Sequence, residues 1–454
     1  MKKSILFIFL SFSIGMSAQT DSAMIASIYQ EALVNGECYE NLRVLCKDVG
    51  NRIAGSKNAE RAMEWGVRVM KGYALDSVYT MPVEVPHWER GKKEVGCYAS
   101  KKSNECFDIV ALGGSVGTDN AINAYVIEVK SIQQLRDLPE EKVKGKIVFF
   151  NKAMDPMLIN TGAAYGGAYD IRSDGPSEAA KKGAVGCLIR SLTLADDKFA
   201  HTGGTQYQDG VTKIPAAALS SVDARLLSQA LVKDNELLFT LHLTCKLFPR
   251  VMQGNVIGEI RGSVHPEKVI VVGGHLDSWD VGEGAHDDGT GVTQSIEVLR
   301  ILKTIGYKPK YTIRAVLFMN EEFGNDGGET YARVVKEINE EHIAAIESDG
   351  GGLTPQGFNL QGNEKQLAQL QSWAPLFEPY QLFRFKPGWS GVDIGPLKND
   401  TIGLYGLSVD SQRYFDFHHS NNDVFENVNK REHTLGAAAM AALVYLIDQH
   451  ETSK

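Results

Sequence analysis

Residues 268–306 read KVIVVGGHLDSWDVGEGAHDDGTGVTQSIEVLRILKTIG and contain, in order, an apolar run, a glycine-rich loop and an amphipathic segment. The run KVIVVGG is typical of a strand that is covered on both faces. The apolar positions after the loop recur at helical spacing, at Val292, Ile296, Leu299 and Leu302. Gly306 is a helix stop signal. The stretch therefore predicts a strand, a loop and a helix that begin an α/β domain.

The same rhythm continues toward the C-terminus. TIRAVLFM (312–319) is a second predicted strand, GGETYARVVKEIN (327–339) a second helix and IAAIESD (343–349) a third strand. Strands that alternate with helices of this length indicate an α/β fold with a mainly parallel central sheet flanked by helices. In such sheets ligands bind beyond the carboxyl ends of the strands.

The chain of 454 residues is long enough for two domains. Residues 21–70 have a helical pattern in which Ser56 is a candidate helix cap, and 78–112 predict strands and turns. Residues 113–250 alternate short apolar runs with helical stretches, which indicates a compact mixed module. We therefore expect a discontinuous larger domain, 20–112 and 251–454, with an insert over 113–250.

The N-terminus has the pattern of an export signal. Lys2 and Lys3 precede an apolar run from Ile5 to Met16, and small residues follow up to Gln19. The run is too short to span a bilayer, and no later segment is long and apolar enough. The sequence therefore predicts a signal peptide over 1–19 and an exported protein, periplasmic or extracellular, without stable membrane insertion. The formal net charge of −9, without a basic block, argues against nucleic acid as a partner.

The six cysteines are too sparse for a disulfide scaffold and form no CxxC pair. Cys97 and Cys106, in CYASKKSNEC, fit a hairpin closed by a disulfide in an oxidising compartment. Buried free thiols are the equally weighted alternative.

Charged side chains follow each of the three predicted strands. His275 and Asp277 follow the first, Glu321 and Glu322 the second, and Asp349 the third. Imidazoles and carboxylates collected at one edge of a sheet suit Zn²⁺, and carboxylates can bridge two ions. Two zinc ions can polarise a carbonyl and generate hydroxide from bound water. Adjacent glutamates offer one ligand and one base.

A further ligand is needed to complete two coordination spheres. RYFDFHHSNNDVFENV (413–428) supplies His418 and His419. We expect one of them to bind metal and the other to contribute packing.

Several long motifs resemble the co-catalytic zinc exopeptidases of the aminopeptidase type: VPHWERG, PSEAAKKGAVGCLIRS, HTGGTQYQDGVTKIP, GGHLDSWDVGEGAHDDG, NEEFG, ESDGG and FHHSNND. The resemblance covers nearly the whole chain after residue 19. It implies a first zinc held by His275, Asp287 and Asp349. It implies a second zinc held by the bridging Asp287, Glu322 and His419, the latter chosen by its spacing to Asp423.

The same resemblance implies further features. Glu321 is similar to the general base of the family, and Asp277 to the carboxylate that orients His275. The Asp287–Asp288 peptide is a candidate cis bond, and the insert over 113–250 resembles a protease-associated domain that limits access to the site. A homodimer is also implied.

Three further residues, His286, His201 and Val424, are not predicted to bind metal. His286 precedes Asp287 where relatives often carry an apolar residue, and we favour an exposed or supporting role over a third metal ligand. For His201 a structural role is favoured over a place at the cleft or at a subunit interface. Val424 stands where many relatives have Thr, which removes no ligand.

We therefore expect a dizinc metallo-exopeptidase that hydrolyses dipeptides or short peptides through a zinc-bound hydroxide, with Glu321 as general base. One alternative is a glutaminyl cyclase-like acyltransferase with one zinc; the full set of five ligands and the insert argue against it. The other is a non-catalytic, receptor-like binding protein, which the presence of every ligand and the base disfavours.

Overall fold

A computed structural model describes residues 20–101 and 103–450, so the predicted signal peptide over 1–19 lies outside the described residues. Its α-helices are α1 (20–35), α2 (Cys38–Val44), α3 (Lys57–Gly72), α4 (Ile132–Asp137), α5 (Glu140–Val143), α6 (Thr161–Gly166), α7 (Asp170–Ser173), α8 (Gly175–Lys181), α9 (Ser221–Lys233), α10 (Thr290–Thr304), α11 (Asp326–Glu337), α12 (Glu364–Ser372), α13 (Ala374–Phe377), α14 (Tyr414–Phe417) and α15 (Lys430–His450). Its strands are β1 (Ser77–Glu89), β2 (Glu94–Ala99), β3 (Asn104–Phe107), β4 (Val110–Ala111), β5 (Ile122–Val129), β6 (Ile147–Phe150), β7 (Gly186–Arg190), β8 (Ala216–Leu219), β9 (Leu238–Leu243), β10 (Lys246–Ile260), β11 (His265–His275), β12 (Tyr311–Phe318), β13 (Glu341–Glu347), β14 (Pro355–Gln361), β15 (Arg384–Pro387) and β16 (Gly403–Val409). Short π-helical turns cover Leu45–Val49 and Ala285–Gly289.

The larger unit is built on an eight-stranded sheet in the order β1-β10-β12-β11-β13-β16-β14-β15. Its four central strands, β12, β11, β13 and β16, are parallel, as are β14 and β15. The pairs β1/β10, β10/β12 and β14/β16 are antiparallel. The sheet is therefore mixed. Fewer of its strands pair in parallel than the sequence pattern predicts, because β1 and β10 form a long antiparallel ribbon.

Helices cover both faces of this sheet. Ile270 and Val272 of β11 belong to the core that includes α10 and α15, whereas Val271 belongs to a second core with Tyr331 of α11. Consecutive side chains of a strand point to opposite faces, so an unbroken apolar run needs cover on both sides. The predicted strand–loop–helix order of residues 268–306 is present in β11 and α10, and Ser56 accepts a hydrogen bond from Ala59 N at the start of α3.

A second eight-stranded sheet, in the order β3-β2-β9-β5-β6-β7-β8-β4, lies between residues 94 and 243. The chain leaves the larger sheet at Glu89 and returns at Lys246, two residues that pair across the ribbon. This explains how a compact unit fits into the middle of the other. The unit takes in strands at 94–111, which lie outside the predicted bounds of 113–250.

Cys97 and Cys106 form a disulfide between β2 and β3. The other four cysteines are buried and free. The disulfide alternative therefore applies to Cys97 and Cys106, and the free-thiol alternative to the remaining cysteines. Within the described ranges, no helix combines the length and apolar character needed to cross a bilayer.

Candidate active site

The polar residues that follow the central strands meet at one edge of the larger sheet. β11 and β12 run parallel, with His275 opposite Phe318, and β13 pairs with β11 up to Glu347. His275 therefore stands next to the turn that carries Glu321 and Glu322, and Asp349 follows two residues after β13.

Asp287 lies at the centre of the cluster. It lies in the turn before α10, where its own backbone angles are not helical, and its peptide bond to Asp288 is cis, as the family resemblance implies. One carboxylate oxygen, Oδ1, is 3.2 Å from His275 Nε2, and the other, Oδ2, is 3.2 Å from His419 Nε2. A single carboxylate thus faces two histidines that come from distant parts of the chain.

Each histidine has a second carboxylate neighbour. Asp349 Oδ1 is 3.6 Å from His275 Nε2, and Glu322 Oε2 is 2.9 Å from His419 Nε2. The structure therefore brings together all five side chains that the family resemblance implies as ligands: His275, Asp287, Glu322, Asp349 and His419. They fall into two groups that share Asp287.

His418 lies beside this cluster. Its ring stacks on that of His419 with 3.5 Å between centroids, and its Nε2 is 3.8 Å from Asp287 Oδ2. Both distances that His419 Nε2 makes to carboxylates are shorter. The geometry therefore favours His419 over His418 as the ligand.

The donor set fits cations. Glu322 Oε1 and Asp349 Oδ1 are buried and receive no hydrogen bond within the described residues. Carboxylates that lose water without gaining a donor are costly unless a positive charge compensates them. Two imidazoles and three carboxylates at close range are the nitrogen and oxygen ligands that zinc takes in proteins.

The pKa values of the cluster also fit a site for cations. Burial raises the pKa of Glu322 and of Asp349, and repulsion from Asp287 adds to it. Burial alone would lower the pKa of His275, but the neighbouring carboxylates of Asp287 and Asp349 raise it well above its usual value. Without metal the cluster therefore retains protons that a cation would displace.

Glu321 is the first member of the glutamate pair, and both residues are half-buried. Its backbone N–H donates to Asp277 Oδ1 at 3.1 Å, which fixes the start of the turn. Burial raises the pKa of its carboxyl well above the usual value, and the negative charges of Asp349 and Glu322 reinforce this shift. A carboxylate with a raised pKa is suited to accept a proton.

Asp277 supports the site in a different way from the one expected. Its backbone carbonyl oxygen, 3.0 Å from His275 Nδ1, accepts that ring's hydrogen bond. Its carboxylate accepts from the backbone N–H groups of Asn320, Glu321 and Glu322. The carboxylate therefore holds the glutamate turn, and the carbonyl orients His275. Asp288, unassigned from sequence, accepts from His275 N at 3.1 Å.

Asp423 is a supporting residue whose role the sequence did not reveal, although it served as a spacing marker for His419. Its carboxylate accepts from His286 N at 2.7 Å and from Asp287 N at 3.1 Å, and it is almost fully buried. Burial raises its pKa to about 7. Asp423 thus fixes the backbone of the central carboxylate.

His286 is buried and fully bonded. Its Nδ1 accepts from Gly352 N and its Nε2 donates to the carbonyl of Asn427, each at 3.2 Å. Its ring stacks on Phe417. It is therefore neither exposed nor free to bind a metal, and it acts as a packing element behind Asp287.

A second acidic pair lies beneath the site. Glu347 accepts hydrogen bonds from Val392 N and Ile394 N, both at 2.9 Å, and burial raises its pKa to about 8. Asp393 is fully buried, and neither of its carboxylate oxygens has a hydrogen-bond partner among the described residues. No periodicity or spacing in the sequence indicated this pair. Glu347 and Asp393 are far apart in the sequence, and the loop that carries Asp393 meets β13 only in the folded protein.

Comparisons with known proteins place this geometry in context. The profile of peptidase family M28 matches residues 255–444. The chain is 35% identical to carboxypeptidase Q of Bos taurus over 410 residues, which cover 90% of this chain and 84% of the relative, and 35% identical to that of Homo sapiens, with 91% and 85% covered. A crystal structure of a peptidase M28 precursor from Shewanella amazonensis superimposes with a TM-score of 0.91 at 31% identity and covers 95% of this chain and 97% of its own. A zinc aminopeptidase from Bacillus subtilis shares the fold, with a TM-score of 0.64 at 19% identity over 92% of this chain and 96% of its own.

Proposed function

Because this chain belongs to peptidase family M28 and is a zinc-dependent hydrolase, we propose that it is an exported exopeptidase that holds two zinc ions and hydrolyses dipeptides or short peptides. The observation that carries the proposal is the position of Asp287. Its two carboxylate oxygens lie at equal distances, 3.2 Å, from histidines of two separate ligand groups. Such a carboxylate is suited to bridge two cations.

The distances support the division of ligands that the family resemblance implies. His275, Asp287 and Asp349 would hold one zinc, and Asp287, Glu322 and His419 would hold the other. When bound, the zinc pair supplies a Lewis acid that polarises the scissile carbonyl and makes water more acidic. Asp277 holds the glutamate turn through its carboxylate and the ring of His275 through its carbonyl. Asp288 holds the backbone of His275, and Asp423 holds the backbone of Asp287.

Glu321 acts as the general base. It accepts a proton from the attacking water and delivers it to the leaving amine of the peptide. Its raised pKa and its electrostatic interaction with His275, Asp349 and Glu322 support this role. Asp277 fixes the turn that carries both glutamates, and Glu322, in contact with His419, would hold metal.

Substitution of the base tests the mechanism. Glu321→Gln should retain the zinc content of the wild type and lose about 10²- to 10⁴-fold in kcat, because the side chain keeps its size but no longer accepts a proton. Zinc analysis and kinetics are measured on the same preparation. A variant with full zinc content and full turnover would remove Glu321 from the mechanism.

The substrate class is tested by a panel of dipeptides that are free at both ends, blocked at the amino end or blocked at the carboxyl end, assayed with added zinc. An exopeptidase should lose activity with one of the two blocks, and the block that matters identifies the recognised terminus. Cyclisation of N-terminal glutamine by a protein with one zinc per chain would support an acyltransferase instead. A metal-free protein without peptidase activity would support a binding role.

Export and domain organisation are part of the proposal. The basic start and apolar run before Gln19 support a cleaved signal peptide, which N-terminal sequencing of the mature protein tests. The inserted unit, which contains the second sheet between residues 94 and 243, is proposed to be a protease-associated domain that limits access to the site. The implied homodimer is tested by sedimentation, and a monomer at assay concentration would exclude it.

A further inference from the structure

The inserted unit touches the candidate metal site directly. Residues 201–202, in the segment between β7 and β8, run antiparallel to residues 418–420 and form a bridge between His201 and Ser420. Thr202 N donates to the carbonyl of His419 at 2.9 Å, and His201 Nδ1 donates to the carbonyl of His418 at 2.6 Å. Backbone and side chain of the insert therefore pair with the segment that carries the candidate ligand.

The contact reaches the imidazole of His419 itself. The Nδ1 of His419 is 3.3 Å from the carbonyl oxygen of Thr202, while its Nε2 faces Glu322 and Asp287. A histidine that binds metal through Nε2 carries its proton on Nδ1, and the acceptor of that proton orients the ring. In the other ligand group, the carbonyl of Asp277 has the same relation to His275.

Arg172 of α7 supports the Thr202 carbonyl. Its Nη1 donates to that oxygen at 3.3 Å, and 5% of the residue is exposed. Nη1 is also 3.3 Å from His419 Nδ1, but both nitrogens are donors when Nδ1 carries its proton, so Arg172 acts on the ring through the shared Thr202 oxygen. Its guanidinium lies over the ring of Tyr169, 4.9 Å from the centroid. A side chain added at Gly203 would meet Arg172 Nη1 at 2.3 Å, so the packing leaves little room for another position of the guanidinium.

The backbone of His419 needs such support. Its φ is +60°, a left-handed conformation that costs energy for a residue with a side chain. Thr202 is itself held in place, because its Oγ1 donates to the carbonyl of Ala111 at 2.7 Å. The strained ligand is thus braced by a segment of the other unit.

We propose that Arg172 and the Thr202 carbonyl are positioning groups for His419, so that the inserted unit completes the second zinc site. The inference rests on the proposed two-zinc centre. It gives the insert a role in metal binding, in addition to any effect on substrate access. Neither group touches substrate.

The test is a zinc titration of the metal-free mature protein against a competing chromophoric chelator. Arg172→Met removes the guanidinium and keeps the apolar stem. It should weaken one of the two zinc equivalents about 10- to 100-fold and leave the other unchanged, because the ring of His275 is oriented by the Asp277 carbonyl and, within the described residues, no hydrogen bond joins His275 or Asp349 to the insert. Arg172→Lys keeps a charge without the planar donors and should show a smaller loss of the same equivalent.

Arg190 provides a matched control. It lies at the end of β7 in the same unit and is half-buried, and no hydrogen bond joins it to the ligands within the described residues. Arg190→Met should bind both equivalents as the wild type does. Co²⁺ substitution gives a second readout, since the visible absorption of the second equivalent should change in Arg172→Met and not in Arg190→Met.

The outcomes separate the inference from its premise. Unchanged affinity for both equivalents in Arg172→Met would overturn the inference, and so would an equal loss of both, which indicates general destabilisation. If Arg172→Met does not fold, the lysine variant decides by the same criteria. A wild-type protein that binds fewer than two zinc ions would contradict the proposed metal centre itself.

Discussion

Replacement of Asp423 by Asn tests how the central carboxylate is held. The two oxygens of Asp423 accept from His286 N at 2.7 Å and from Asp287 N at 3.1 Å in a buried setting. Hydrogen bonds to a charged group contribute about 1.5 to 3 kcal/mol each. An amide keeps one acceptor and places an NH₂ group against the other backbone N–H, which leaves that N–H unpaired.

One lost charged bond, one weakened bond and one unpaired buried donor lower the free energy of unfolding by at most about 2 to 4 kcal/mol. Relief of the burial cost that raises the pKa of Asp423 offsets part of this loss. Because Asp287 serves both ligand groups, zinc affinity should fall at least about tenfold for both equivalents, which corresponds to about 1.4 kcal/mol. This pattern differs from that expected for Arg172→Met.

Urea unfolding and zinc titration at pH 8 measure the two effects. That pH lies above the raised pKa of Asp423, about 7, so the wild-type side chain is ionised in the metal-free protein as well. Asp410→Asn is the matched control, because Asp410 is exposed and caps a short helical turn through Gln412 N. Asn and Asp are equivalent caps, so the control should stay within about 0.5 kcal/mol of wild type. An Asp423→Asn protein that matches the control in stability and zinc affinity would refute the reasoning.

Three further perturbations have defined outcomes. Removal of metal by a chelator should abolish turnover and lower the unfolding temperature, because zinc at 1,000 times its Kd adds about 4 kcal/mol per site. Added zinc should restore both, and an unchanged unfolding transition would contradict a bound metal. Exchange of Cys97 and Cys106 for Ser should reduce the stability of the second sheet by about 2 to 3 kcal/mol, from the entropy of a loop with a separation of 9 residues, as measured by thermal unfolding; no change would show that the unfolded chain is not restricted there. Burial lowers the pKa of His433 to about 3, so the unfolded state binds more protons between pH 6.5 and 3, and stability should fall as pH drops through that window. Relative to a His433→Gln variant, wild type should lose about 2 to 3 kcal/mol of unfolding free energy between pH 6.5 and 4.5, and parallel pH curves for the two proteins would show that His433 does not titrate in this way.

Much of the larger unit is predictable from local pattern. After Lys268 the run VIVVGG has no polar side chain, so it forms a strand only where both faces are covered, and β11 lies in such a place. The apolar spacing from Val292 to Leu302 sets the helix α10. Because parallel strands end at the same edge, the residues after β11, β12 and β13 converge, which is why His275, the glutamate pair and Asp349 could be named from order alone. Asp287, and His419 in preference to His418, were identified as ligands only through the family resemblance.

The edges of the fold were less predictable. Antiparallel pairing of β1 with β10 joins segments that are more than 150 residues apart, and no local signal in either segment indicates the partner. The same holds for the start of the second sheet at Glu94, since β2 and β3 acquire their place by pairing with β9 and with each other.

The sequence alone determined which residue types gather at the carboxyl edge of the parallel strands. Apolar periodicity and the order of strands and helices along the chain can both be read from local sequence. The tertiary structure decided what holds those residues. Asp277 binds the glutamate turn, Asp423 binds the backbone of Asp287, and a carbonyl of the insert meets His419. Each of these is a hydrogen bond between segments distant in sequence, and its partner is selected by distance and direction in the folded protein.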